Sequence, residues 1–319
     1  MRTHDQTGGN QAHQLADQAG QSSGKKSGLP HAFGAYLIWG LLPIYLLLVK
    51  DVPPFEFVGW RIIWTLPFCL LIVAVRGQFP ALKEALSSAH NLALLTLSAM
   101  LIATNWLVYV WAIANGEIYA ASMGYYLNPL INVLLGTLFL AERLSRLQWA
   151  AVALASLAVA ALLAGAVTSL WISLTLAGSF GLYGLVRKQI GVGSLPGLTI
   201  ETMILILPSI AMVWFFAQSS SGTSFGGDLL LTAAIIFSGV VTAVPLLLFA
   251  VAARRMDYST LGFVQYLAPT LVFILGLTVF GQELKPAQLG SFMLIWSAVA
   301  LFIWDVLRQN RKNKRQTAA

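Results

Sequence analysis

The sequence predicts an all-α integral membrane protein with ten transmembrane helices, arranged as two inverted five-helix repeats with both termini cytoplasmic. Three observations predict it. Apolar residues come in runs of spanning length, basic residues fall on alternate connections between those runs, and the chain matches itself when Tyr126 is laid on Tyr266. Hydrophobic residues make up 58% of the chain and charged residues 10%. A water-soluble domain carries about 25% charged residues to cover its surface, so these apolar residues must face lipid.

The apolar runs fill ten windows of about 20 residues, the length that crosses a bilayer. They are 30–49, 55–75, 92–114, 119–140, 147–165, 169–190, 196–217, 229–252, 259–280 and 287–307. Only small residues around Gly165 and Ala166 make the turn between the fifth and sixth, so charge has to arbitrate the count.

With the N-terminus inside, 16 of the 19 Lys and Arg residues fall on the tails and on the connections of one side. Among them are Arg76, Lys83, Arg143, Arg146, Arg187, Lys188, Arg254 and Arg255. Lys50 and Lys285 face the other side, and Arg61 lies inside a span. This is the positive-inside bias of a membrane protein, and the net charge of +7 therefore reports topology rather than nucleic-acid binding. The polar loop 218–228 has no Lys or Arg and falls outside, as this topology requires. Residues 1–28 lack an apolar core segment and read as a disordered hydrophilic tail rather than a cleavable signal. Residues 29–165 form the first repeat, 166–307 the second, and 308–319 a basic cytoplasmic tail.

The repeat is carried by Tyr126-Leu127-Asn128-Pro129 against Tyr266-Leu267-Ala268-Pro269, and by Gly136 against Gly276, Leu144 against Leu284 and Gln148 against Gln288. Five spans is an odd number, so the second copy enters the membrane upside down. The loop at Asn115-Gly116-Glu117 is external and has no basic residue, while its partner at Arg254-Arg255-Met256-Asp257 is internal and has two. Inverted repeats place a site near the midplane and open it to either side in turn.

A charge inside a bilayer costs at least about 2.5 kcal/mol, so each one invites a role. Arg61 sits two turns into the second span, about 9 Å deep at 1.5 Å per residue. It could hold an anionic substrate; it could equally snorkel outward or pair with Glu56. Glu201 is the one carboxylate clearly inside a span, in the seventh. As a proton acceptor it could couple transport to a proton gradient, and the plainer reading is a structural ion pair with Arg187 or Lys188 at the same end. Asn105, Tyr109, Tyr125, Asn128, Asn132, Gln265 and Tyr266 are polar groups that face the bundle, to line a cavity or to hold helices together. Asn128-Pro129 and Ala268-Pro269 mark places where helices could break and free carbonyls. Of Trp39, Trp60, Trp64, Trp106 and Trp111, at least half are expected in interfacial belts.

Cys69 stands alone, so no disulfide within the chain is possible. His4, His13, His31 and His90 lie in the tail or at loop edges, which leaves no metal centre, and neither a P-loop nor a Gly-x-Ser-x-Gly elbow appears. No cofactor is expected. The expected partners are a small-molecule substrate and the lipid bilayer, with a homodimer left open and nucleic acid excluded.

At these residues the chain resembles the RarD proteins, in the EamA branch of the drug/metabolite transporter superfamily. The likeness is carried by Tyr36-Leu37-Ile38-Trp39-Gly40, Arg61-Ile62-Ile63-Trp64, Leu127-Asn128-Pro129-Leu130, Tyr183-Gly184-Leu185-Val186-Arg187-Lys188 and Ile200-Glu201-Thr202-Met203. It continues through Ser259-Thr260-Leu261-Gly262-Phe263-Val264-Gln265-Tyr266. The resemblance implies two EamA-type repeats, a cavity among the first four helices of each half, and peripheral fifth and tenth helices. It also implies Arg61, Arg187 and Glu201 as motif positions. Trp60 departs from the His that relatives often carry before the arginine.

The function expected is a permease of the inner (cytoplasmic) membrane, moving a small organic metabolite or drug-like solute by alternating access, coupled to protons or to exchange. Arg61, Asn105, Tyr109, Asn128, Gln265 and Tyr266 are its expected substrate contacts, and Glu201 with Arg187 its gate or coupling pair. The rival readings are a non-transporting receptor or assembly factor and an intramembrane lipid-modifying enzyme; the expectation is that the chain is not an enzyme.

Overall fold

The computed structural model describes residues 28–163, 169–219, 222–281 and 286–317, and these are all helix and connection, with no strand among them. Expectations for the segment before Gly28, the turn at Gly165 and Ala166, Gln282 to Lys285 and the segment after Thr317 lie outside the described residues. The helices are α1 (Leu29–Leu46), α2 (Pro54–Val75), α3 (Phe79–Ser87), α4 (Ala89–Ala114), α5 (Ile118–Phe139) and α6 (Arg146–Leu163). They continue as α7 (Leu170–Gln189), α8 (Ser194–Ala217), α9 (Leu229–Arg255), α10 (Tyr258–Gln265), α11 (Leu267–Thr278) and α12 (Pro286–Thr317).

Local chemistry explains the helix starts. Pro30 and Pro54 sit in the first turns of α1 and α2, where a missing N–H costs nothing. Ser88 caps α4 by accepting from the Asn91 amide at 3.3 Å, and Asp228 caps α9 by accepting from the Leu231 amide at 2.7 Å. Gly77 and Gly116 follow α2 and α4 with φ of +61° and +76°, a region closed to most side chains.

Eight helices, counting α10 with α11 as one, are long and apolar enough to cross a membrane. Of the ten expected spans, the fourth and fifth correspond to α5 and α6, which are not among the eight. Half of α5 is buried, and it spends its inward face on polar residues such as Asn128 and Asn132. α6 is a shorter apolar helix. Large apolar side chains such as Leu71, Val75, Leu138, Leu207 and Phe215 stay exposed, as they do in a protein whose outer surface meets hydrocarbon.

The helices recur at a fixed interval. One and the same spacing carries Pro54 of α2 onto Ser194 of α8, Ala89 of α4 onto Leu229 of α9, Ile118 of α5 onto Tyr258 of α10, and Arg146 of α6 onto Pro286 of α12. From Leu29 of α1 to Leu170 of α7 the spacing is longer by a single position. The helix pairings come in matched sets. α1 lies along α9 as α7 lies along α4, and α1 lies against α10 and α11 as α7 lies against α5. α2 crosses α8, α5 crosses α10, and α6 pairs with α12.

Glycines permit the closest crossings. A Cβ on Gly40 would meet Leu271 at 2.6 Å, and one on Gly181 would meet Ile131 at 2.6 Å; the two contacts are related by the same two spacings as the helix starts. The break expected at Ala268-Pro269 falls slightly earlier, at Tyr266 between α10 and α11, whereas α5 runs through Pro129 unbroken.

Candidate functional site

Arg61 projects from the second turn of α2, and its surroundings come from four other helices. Its Nε donates to the Thr242 hydroxyl of α9 at 3.0 Å, and the guanidinium carbon lies 4.7 Å from the ring centroid of Trp106 on α4. The phenols of Tyr45, Tyr109 and Tyr125 lie within electrostatic range. Tyr109 and Tyr125 pack edge to face with centroids 5.8 Å apart. A cavity of about 10 Å³ opens beside it, lined by Leu42, Tyr45, Leu46, Phe57, Ser238 and Thr242. That is room for about one water molecule, so the helices are closed around the cation.

No carboxylate stands within 4.0 Å of Arg61 among the described residues. The pairing with Glu56 allowed by the sequence is absent, because Glu56 is engaged elsewhere. Its buried carboxylate accepts from Trp60 Nε1 at 3.0 Å, Thr223 Oγ1 at 2.8 Å, and the Ser224 amide and hydroxyl at 2.9 Å each. Phe225 of the same loop stacks on Trp60 with centroids 4.5 Å apart. The α8–α9 loop is thereby fastened over the end of α2, about a turn and a half from Arg61.

Around Glu201 the arrangement is the reverse: the charge is closed by the protein. Arg187 Nη1 lies 3.3 Å from Glu201 Oε1, and the Ser98 hydroxyl donates to the same oxygen at 2.5 Å. The Tyr183 hydroxyl faces the carboxylate. Arg187 Nη2 donates to the Ser194 carbonyl at 2.9 Å. Gly197 makes the pair possible, since a Cβ there would fall on the Arg187 guanidinium. Lys188 turns away to the carbonyls of Ala253 and Met256, at 2.9 and 2.7 Å, and Arg254 donates to the Val192 carbonyl at 2.6 Å.

The other expected residues divide. Tyr109 joins Arg61. Asn105 is committed to α7, donating to the Leu176 carbonyl at 2.8 Å and to Ser179 at 3.1 Å. Gln265 accepts from Asn132 at 3.0 Å and from Tyr36 at 3.4 Å, tying α10 to α5 and α1. Asn128 is buried with its Oδ1 unpartnered. Tyr266 packs in the core that faces α6 and α12, its hydroxyl 3.4 Å from the Tyr126 carbonyl. Trp39 is packed among Tyr36, Phe180 and Phe249, while Trp111 and Trp171 pair at an exposed rim.

Sequence reasoning missed Thr242, whose hydroxyl holds the arginine, the burial of Glu56 among bonds from the α8–α9 loop, and one further buried carboxylate. Besides Glu56 there is Asp305 on α12, which accepts from Ser145 Oγ and Gln309 Nε2 at 2.6 Å each. Its position among Ile303, Trp304 and Val306 was the available signal. The described residues hold no cluster of three or more His, Cys, Asp or Glu that could bind a metal.

Residues 26–164 match the model of the EamA-like transporter family. The chain is 42% identical to an uncharacterized transporter of Pseudomonas aeruginosa over 280 residues, covering 87% of this chain and 93% of that one. It is 39% identical to Protein RarD of Escherichia coli over 299 residues, covering 91% and 98%. A solved crystal structure with 18% identity superposes with a TM-score of 0.69, covering 88% of this chain and 98% of that one, a likeness of fold. With relatives this similar over nearly their full lengths, the chain is a multi-pass membrane protein that belongs to the RarD family of EamA-like transporters.

Proposed function

We propose that the protein is a secondary transporter of the cytoplasmic membrane, moving a small organic solute by alternating access between two inverted five-helix repeats, 29–165 and 166–307, with both termini inside. The recurring helix starts and matched helix pairings support the repeat, and the charge bias along the chain supports the topology. The matching family model and the name of the Pseudomonas aeruginosa relative support transport.

One observation carries the site. Arg61 is a cation inside a span, at a cavity, with no acid beside it among the described residues. A charge kept there against a cost of at least about 2.5 kcal/mol is explained by a solute that brings the opposite charge. Tyr109, Tyr125 and Trp106 then shape the pocket around an anionic group. The Arg187–Glu201 pair closes the opposite end, where separation of α7 from α8 would open a path inward. Glu201 is the group that a proton would reach as that pair parts, which makes it the candidate for coupling.

Counterflow in liposomes carrying the purified protein, with a labelled library of small organic acids, amino acids and vitamins, tests the reading. Uptake of one chemical class, lost in Arg61→Gln, is the expected result. Dependence of that uptake on a pH gradient, lost in Glu201→Gln, would assign coupling to Glu201. Wild-type flux in both variants would refute the site, and absence of flux for every compound would favour a receptor.

A further inference from the structure

The interval between the halves sets two polar pockets against each other. The spacing that carries α2 onto α8 carries Arg61 onto Glu201, each in the second turn of its helix, and Ser98 onto Ser238. The slightly longer spacing that carries α1 onto α7 brings Leu42 onto Tyr183 and Leu46 onto Arg187. The paired contacts Gly40–Leu271 and Gly181–Ile131 obey the same two spacings, so the correspondence rests on packing as well as numbering.

In one pocket, then, Glu201 is closed by Ser98, Tyr183 and Arg187. In the other, Arg61 keeps Ser238 nearby, but leucines stand where the phenol and the counter-charge would be, and a cavity lies between. The guanidinium's one hydrogen bond among the described residues is from Nε to Thr242, which leaves both η nitrogens for a ligand. Trp106 occupies one side of the guanidinium, its ring centroid 4.7 Å from the guanidinium carbon, and the η nitrogens are the donors left to meet a ligand.

We infer that the Arg61 pocket takes a solute with a single net negative charge, a monocarboxylate with an apolar body. This rests on the permease reading above. A carboxylate offers two oxygens to the η pair and supplies the one charge that Leu46 lacks. A phosphate monoester would bring a second negative charge with no second cation to meet it. An amino-acid zwitterion would bring an ammonium group, and the buried acids are already taken, Glu201 by Arg187, Glu56 by the α8–α9 loop and Asp305 by Ser145 and Gln309. Leu42, Leu46, Phe57 and Val241 are the apolar walls that receive the rest of the solute once the helices, closed here around room for about one water, part.

Purified protein in lipid nanodiscs is titrated with benzoate, phenylphosphate, phenylalanine and benzylamine, a set of one ring and four charge states. Benzoate is expected to bind saturably, about tenfold or more tighter than the other three. Leu46→Glu, which places a carboxylate where the other half has Arg187, is expected to weaken benzoate about tenfold or more beyond the isosteric Leu46→Gln, a difference that reads the charge alone. Equal binding of phenylphosphate or phenylalanine, no binding by any of the four, or Leu46→Glu binding like Leu46→Gln would overturn the inference. Solute exchange in liposomes without the charge order would sink this inference and leave the permease standing. Benzoate binding without flux of any solute would do the opposite.

Discussion

Arg61 and Arg187 both lie among these helices, and they are held by opposite means. Arg187 rests against Gly197 and reaches Glu201, so its charge is answered within the fold. Gly197→Ala pushes the guanidinium away and leaves both charges buried and apart, a loss of about 3–5 kcal/mol. Thermal unfolding of the detergent-solubilised protein would measure it, with Gly191→Ala as a silent control, since nothing lies within 4 Å of a Cβ there. Arg61 has no such partner, so its removal should relieve the fold. Arg61→Met is expected to leave stability unchanged or raise it by about 1 kcal/mol or more while solute flux is lost. Loss of folding in Arg61→Met would mean that the arginine is structural.

Two of the connections are each fastened by a glutamate. Glu56 accepts four hydrogen bonds, three of them from the α8–α9 loop. Glu142 holds the start of α10 by accepting from the amides of Tyr258 and Ser259 and from the Ser259 hydroxyl at 2.7 Å. Glu56→Ala is expected to raise amide hydrogen exchange at Ser224 and Phe225 by about tenfold or more, read by mass spectrometry, with exchange in α12 unchanged. Protection at Ser224 equal to wild type would show that Phe225 stacking on Trp60 suffices to hold the loop. These fastenings were hidden in the sequence, because a glutamate at the mouth of a helix looks like any interfacial acid. Its partners are 167 and 168 residues away. The helices themselves were legible, since hydropathy is a local property, and their starts fell near the expected boundaries. The break in the ninth expected span was misplaced by less than a turn for a physical reason. Pro269 has no N–H to give the carbonyl of Gln265, so the helix rewinds upstream, at Tyr266.

At the scale of the whole molecule, the match of Tyr-Leu-x-Pro with itself has a counterpart in the common interval between helix starts, and Arg61 and Glu201 stood out as charges in apolar runs. Their fates were not readable. Whether a buried charge is matched depends on which side chains a distant helix turns toward it, and hydropathy is blind to that. Thr242, 181 residues from Arg61, illustrates the point. The matched crossings carry a prediction of their own. Gly239→Leu drives a side chain into the Trp64 backbone at the α2–α9 crossing, where even a Cβ stands too close. It should lower thermal stability by about 1–3 kcal/mol and reduce flux, whereas Gly290→Leu on α12, with nothing near its Cβ, should do neither.

Cys69 is fully buried on α2, in the core that also holds Leu195, Leu198 and Leu205 of α8, and within electrostatic range of Glu201. It is also the chain's one cysteine. Nature has thus supplied a clock with a single hand. A maleimide can reach that sulfur only when the helices around it part, so the rate of its alkylation counts partings in the untouched protein, with no residue engineered in. Solutes that hold the helices shut would slow the clock, solutes that rock them would quicken it, and a transported compound could be recognised by its tempo before any label had crossed a membrane.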